Sequence, residues 1–215
     1  MRSLLRPLVA VLAIAAATWL VALHALPLFL MRIATSRIRS GALAEARAAT
    51  GANGGATGST PSGASADRRM DPGLAARVLE RDGWNVALPA PPTTSDSRTI
   101  VRPSPDLLYA ACVYDLAAGP LIVRAPHAPT YVSLSAFAEN TDNFFAANDR
   151  GPDGADGLAL FLVPAGDATP APAGTTRVES PSLRGIVLAR FRVDHPDRLP
   201  ELVALQRRVT CDPVR

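Results

Sequence analysis

Five polar residues have the types and spacing to line a ligand cleft: Asp106, Tyr109, Asp115, Asp142 and Asn143. Carboxylates near strand ends can cap turns. Brought together, they can also hold a polar ligand or serve as general acid and base. A hydrolase-like or ligand-binding enzyme would draw on Asp106, Tyr109, Asp115 and Asp142. Ser133, Ser135, His127, His195, Asp106 and Asp115 supply the residue types of a nucleophilic triad, as almost any domain of this size does. No Gly-x-Ser-x-Gly elbow presents a nucleophile, so no catalytic residue is assigned. Asp142, Asp149, Asp153 and Asp156, with Asn140, Asn143 and Asn148, form an oxygen-rich stretch of the kind that suits Ca2+. Its spacing does not match the helix-loop-helix calcium loop, and no closing Glu follows. Zinc lacks clustered Cys or His ligands. No metal and no cofactor is expected. The bland reading of Asp106 and Asp115 is that they cap turns, with Gly119-Pro120 shaping the entry to the next strand.

Those residues must be positioned by a short β-rich region. Leu108–Asp115, Leu121–Arg124, Tyr131–Phe137, Leu158–Val163 and Gly185–Val193 read as strands separated by Gly- and Pro-rich turns. Val132, Leu134 and Ala136 alternate with Tyr131, Ser133 and Ser135, which predicts one buried and one solvated face. Asp71-Pro72 opens a short helix as N-cap and first residue, and Gly83 stops it. Arg198–Val209 reads as a helix with an apolar stripe of Leu199, Leu202, Val203 and Leu205. The fold class is thus mainly β, an antiparallel sandwich or barrel-like domain with short flanking helices. Cys112 and Cys211 lie 99 residues apart and would form a disulfide if the domain is extracytoplasmic. In the chain-entropy model such a bridge is worth roughly 4–5 kcal/mol.

Pro7 to Met31 is an apolar run without Asp, Glu, Lys or Arg. At about 1.5 Å per helical residue it is roughly 37 Å long, against about 30 Å of bilayer hydrocarbon. It exceeds a secretory h-region and lacks a well-placed small-x-small cleavage site, so it is read as an uncleaved single-pass transmembrane helix. The chain then divides into an anchor with a helical extension (1–49), a Gly/Ser/Thr-rich flexible linker (50–69) and a globular domain (70–215). A flexible linker predicts a domain tethered to the membrane rather than docked against it.

All 22 basic residues are Arg. Residues 1–69 hold 8 Arg against Glu45 and Asp67, a net +6, whereas residues 70–215 hold 14 Arg against 17 acids, a net −3. The basic excess hugs the membrane and its anionic headgroups. The mildly acidic domain argues against nucleic-acid binding.

Several blocks in order resemble a known family. They are Arg102-Pro103-Ser104-Pro105-Asp106-Leu107-Leu108-Tyr109, Val113-Tyr114-Asp115-Leu116-Ala117-Ala118-Gly119-Pro120, Tyr131-Val132-Ser133-Leu134 and Thr141-Asp142-Asn143-Phe144, followed by Gly185–Arg190 and Leu205-Gln206. Over roughly residues 75–210 the chain is similar to the domain of unknown function numbered 1254. Ser104 and Leu107 depart from the Asn and Thr usual there. The resemblance implies a bacterial protein with a β-rich domain. It also implies an inner-membrane location with the C-terminal domain in the periplasm. Larger relatives carry a second domain of unknown function, numbered 1214. The expected role is a non-enzymatic binding module acting with a protein partner in the cell envelope.

Overall fold

The computed structural model describes residues 2–51, 70–93, 103–151 and 156–214. The Gly/Ser/Thr-rich stretch from 52 to 69, residues 94–98 of the Pro- and Ser-rich loop, and Asp153 lie outside them.

The first helix, α1 (Arg2–Ala49), is continuous over 48 residues and has two differently used halves. It is long and apolar enough to cross a membrane. From Ala10 to Leu30 large apolar side chains stand free, Trp19 at 67% exposure and Leu30 at 53%. His24 Nδ1 donates to the Leu20 carbonyl at 2.9 Å, so this polar ring is satisfied within the helix. From Pro27 onward a stripe of half-buried and buried residues appears: Leu28, Met31, Thr35, Ile38, Ala42, Ala46 and Ala49. Steps of three and four put them on one face.

That face packs against α2 (Pro72–Glu80). Asp71 caps α2, accepting from Gly73 N at 2.9 Å and Leu74 N at 3.1 Å. Gly83, at φ +72°, ends the segment with its N–H on the Val78 carbonyl. Ala42, Ala46, Ala75, Val78, Val86 and Leu88 form a small second core between the two helices and the first strand. Three alanines at the crossing let the helices approach closely. The helical extension is therefore part of the folded body, not a spacer leading to it.

Among the described residues, nine strands make two sheets. The five-stranded sheet has the order β1-β2-β8-β4-β5, from β1 (Ala87–Pro89), β2 (Leu107–Asp115), β8 (Arg184–Arg192), β4 (Val132–Ala138) and β5 (Asn143–Asn148). The four-stranded sheet has the order β7-β6-β3-β9, from β7 (Thr176–Ser180), β6 (Leu158–Pro164), β3 (Leu121–Ala125) and β9 (Thr210–Pro213). The main core lies between them and includes Leu108, Tyr114, Leu121, Leu134, Leu160, Leu162 and Phe191. Each fully buried Leu or Phe contributes about 1.5–3 kcal/mol of transfer free energy. Cys112 on β2 and Cys211 on β9 form a disulfide between the sheets, with Cα atoms 6.2 Å apart. Helix α3 (Leu199–Gln206) is tied to β2 by Gln206, whose Nε2 donates to the carbonyls of Ala90 and Tyr109.

The fold class is mainly β with short helices, and the five strands expected from the sequence are present. Three features differ. β6 and β7 pair in parallel, because the Pro/Gly-rich segment between them carries the chain back to the start of β6 before it pairs. The helix near the C-terminus stops at Gln206, and Thr210–Pro213 turns back to pair with β3. Both faces of β4 are buried. Ser133 and Ser135 are covered rather than solvated, and Ser135 Oγ accepts from Arg190 Nη1 at 2.9 Å.

Candidate functional site

β2 sets the geometry of the polar residues, since Asp106 precedes it and Asp115 ends it. Nine extended residues at about 3.3 Å each separate the two carboxylates by roughly 30 Å. The five candidate residues therefore divide between the two ends of the sheet.

At the first end, Asp106 is exposed and lines a cleft of about 290 Å³ with Pro105, Leu108, Asp194, His195 and Leu199. Its backbone carbonyl accepts from Val193 N at 2.8 Å, which closes β2 onto the end of β8. Tyr109 points its hydroxyl at Ser104 N, accepting at 3.0 Å, and fixes the Pro-rich approach to the strand. His195 and Asp197 face each other at 3.2 Å, and Asp194 pairs with Arg198 at 3.8 Å; all four are exposed by more than a third. Solvated pairs of this kind are worth about 0–1 kcal/mol.

At the second end, Asp115 is fully committed. Its Oδ1 accepts from Ala117 N at 2.9 Å, and its Oδ2 pairs with Arg184 Nε at 2.8 Å. Its backbone N–H and carbonyl are both bonded to the side chain of Asn85. Asp115 starts the turn that Gly119, at φ +122°, completes before Pro120. The Asp-Leu-Ala-Ala-Gly-Pro block is accordingly a strand-to-strand turn. Asp142 accepts from Asn140 Nδ2 at 2.6 Å and shapes the β4–β5 turn; Asn143 begins the edge strand β5 and is exposed.

Two polar centres carry more burial than any of these five. Asp149 has a fully buried carboxylate. Its Oδ1 accepts from Val132 N at 3.0 Å, and its Oδ2 meets His127 Nδ1 at 3.1 Å. This carboxylate holds the Pro-flanked turn before β4, and its lone pairs are taken by that turn. His127 is directed to Asp149 rather than to a serine or cysteine. Tyr114 is the second centre. Its hydroxyl bonds Ser180 Oγ at 2.9 Å and the Phe137 carbonyl at 3.3 Å, and burial raises its pKa. A Cβ at Gly185 would collide with the Tyr114 hydroxyl and the Phe137 carbonyl. Among the described residues, no three His, Cys, Asp or Glu side chains gather as a metal-binding group.

Residues 85–213 match the family described as Protein of unknown function (DUF1254). The chain belongs to the DUF1254 family. The matched region holds both sheets and α3 and leaves α1 outside. No curated protein matches the chain. Among solved structures it is similar to the VPA0106 protein from Vibrio parahaemolyticus, at 17% identity and TM-score 0.45, over 52% of this chain and 32% of that one. It is also similar to an uncharacterised protein from Burkholderia cenocepacia, at 15% identity and TM-score 0.40, over 60% of this chain and 37% of that one. The matched part thus spans about a third of each of those longer chains.

The DUF1254 motif blocks now have physical roles. Asp115 to Pro120 is a capped turn, Tyr131–Leu134 is the start of β4, and Gly185 makes room for Tyr114. Gly185 was legible only as a strand residue, because the hydroxyl it accommodates lies on a strand 71 positions away.

Proposed function

We propose that this DUF1254 protein is a membrane-anchored module that presents a β-sandwich at the periplasmic surface and binds a second envelope protein there. The observation that carries the reading is α1. One uninterrupted helix offers lipid a free apolar half and packs its other half into the domain. A span joined to a folded body in this way holds that body against the membrane. The inter-sheet disulfide supports the periplasmic side, since buried disulfides belong to oxidising compartments. A binding role is favoured over chemistry because Asp106 and Tyr109 lie at one end of β2, and Asp115 and Asp142 lie at the other. Acid–base or nucleophilic catalysis needs its groups within hydrogen-bond reach of one substrate.

Cross-linking in intact membranes, followed by purification through a C-terminal tag, tests the role. The expected result is one stoichiometric envelope protein, retained when Asp106 is changed to Ala. Recovery of the uncross-linked chain alone across repeated preparations overturns the binding reading. Alkaline carbonate washing tests the anchor separately: the chain should stay in the pellet.

A further inference from the structure

We infer that the sandwich turns its β5 edge and the β4–β5 turn toward the lipid headgroups around α1, which makes this edge a second membrane contact. The inference rests on the membrane-anchored reading above and adds an orientation to it.

Height comes first. From Pro7 to Leu26, α1 offers twenty helical residues, about 30 Å, which is one hydrocarbon thickness. Ala10 to Leu26 are exposed, and Pro27 and Leu28 are the next residues and are half-buried by protein. Packing onto the domain therefore begins where the hydrocarbon ends.

Direction comes from the order of contacts along the helix. Arg32 meets Glu139 of the β4–β5 turn at 3.3 Å. About two turns later, Arg39 stacks on Trp84 at 4.0 Å and pairs with Asp82; the same ring takes Arg184, at the start of β8, at 5.0 Å. Ala42 and Ala46 then share a core with Ala75, Val78 and Leu88. In the sheet order β1-β2-β8-β4-β5, α1 climbs from the β4 side to the β1 side. β5 lies one strand spacing, about 4.8 Å, beyond β4, on the side from which the helix enters. Arg32 is six residues, or about 9 Å, past Leu26. β5 therefore lies on the membrane side of β4, toward a headgroup layer of roughly 5–7 Å.

The chemistry of the edge agrees. β5 itself reads Asn-Phe-Phe-Ala-Ala-Asn, with no charge and no proline; the adjoining turn carries Glu139, paired with Arg32, and the exposed Asp142. An open edge strand normally carries charge or proline as protection against pairing, unless something covers it. Asn143, Ala146 and Asn148 are exposed along it. Amides and free backbone groups can hydrogen-bond lipid phosphates and carbonyls, and the half-buried Phe144 suits an interface that favours aromatic rings.

The full chain is reconstituted in phosphatidylcholine–phosphatidylglycerol vesicles, bearing single Asn143→Cys, Asn148→Cys or Glu80→Cys changes. Its own cysteines are bonded to each other, so only the added thiol takes a fluorophore. Quenching by a headgroup-nitroxide lipid should be several-fold stronger at positions 143 and 148 than at 80, which lies on α2. Equal or absent quenching, in protein that floats with the vesicles and resists carbonate, overturns the orientation and leaves the anchor standing. Protection of 143 and 148 by a second copy would appear as label–label coupling that falls on dilution into excess lipid, and it also overturns the lipid contact. Loss of the whole chain to the carbonate supernatant overturns the anchor itself.

Discussion

Gly185 and Tyr114 show how one residue's identity depends on another far along the chain. The hydroxyl of Tyr114 occupies the space that any side chain at 185 would need. Gly185→Ala should cost about 1–3 kcal/mol, the range of an overpacked core, read as a lower midpoint in urea. Tyr114→Phe should cost about 1 kcal/mol, the net value of a typical hydrogen bond. The two changes are expected to be non-additive, because the second removes only the hydroxyl part of the clash and leaves the Phe137 carbonyl and the ring against the new methyl; a double-mutant cycle measures this partial coupling, and the double variant should stay less stable than Tyr114→Phe alone. Tyr114 also fixes an alkaline limit. Burial raises its pKa above the ordinary value of 10.0, so the fold favours the neutral phenol. Its contribution is fully present below pH 10 and is lost as pH rises through the higher folded value. Midpoints of the parent chain should therefore fall above pH 10, and those of Tyr114→Phe should fall less. Equal slopes would show that the phenol does not set the limit. Asp149 acts on backbone rather than on another side chain. Asp149→Ala leaves the Val132 N–H buried without its acceptor, an expected loss of about 1–3 kcal/mol.

At the scale of elements, burial explains what could be read from sequence and what could not. β2, β3, β4, β6 and β8 contain apolar runs, because every second residue or more is buried in the core. β1, β5, β7 and β9 are edge strands: β1, β7 and β9 are too short or polar to carry such a run, and the Phe-Phe-Ala-Ala of β5 is only four residues long between two Asn. The parallel pairing of β6 with β7 is set by where a loop returns, which leaves no residue-level trace. The candidate residues followed the same rule. Their types suggested a cleft, but the distance between them is a property of β2's length and of the turns at its ends. The apolar span was legible in full, whereas the docking of α1 was not, since Ala42, Ala46 and Ala75 read simply as good helix formers. Their burial gives the element-scale prediction. Ala46 is 0% exposed, so Ala46→Leu should overpack the α1–α2 crossing at a cost of about 1–3 kcal/mol. Amide exchange should accelerate from Ile38 to Ala49 and not in β2 or β8. Unchanged exchange there would mean that the helix and the domain are not packed together.

For the whole molecule, charge and disulfide bear on one part of the proposed anchoring, namely which side of the membrane the body would occupy. Arg residues flank the apolar run on both sides, so the positive-inside rule does not decide, and a long following domain weakens it further. The Cys112–Cys211 bridge is the sharper indicator, because both sulfurs are buried between the sheets and join β9 to β2. A body exported to the periplasm forms this bond during folding; a body kept in the cytoplasm meets a reducing pool. Acid-trapping of cells followed by denaturing alkylation should leave both thiols unmodified in the native chain, and both should react after reductant. Placing charged residues within Pro7–Met31 to block insertion should leave both thiols free. The blocked chain should also be less stable by roughly 4–5 kcal/mol, the loop-entropy value for a bridge of this span. Two alkylated thiols in the native chain would place the domain on the cytoplasmic side. The sandwich and the docked helix would stand, but the proposed partner would have to be sought on the cytoplasmic side.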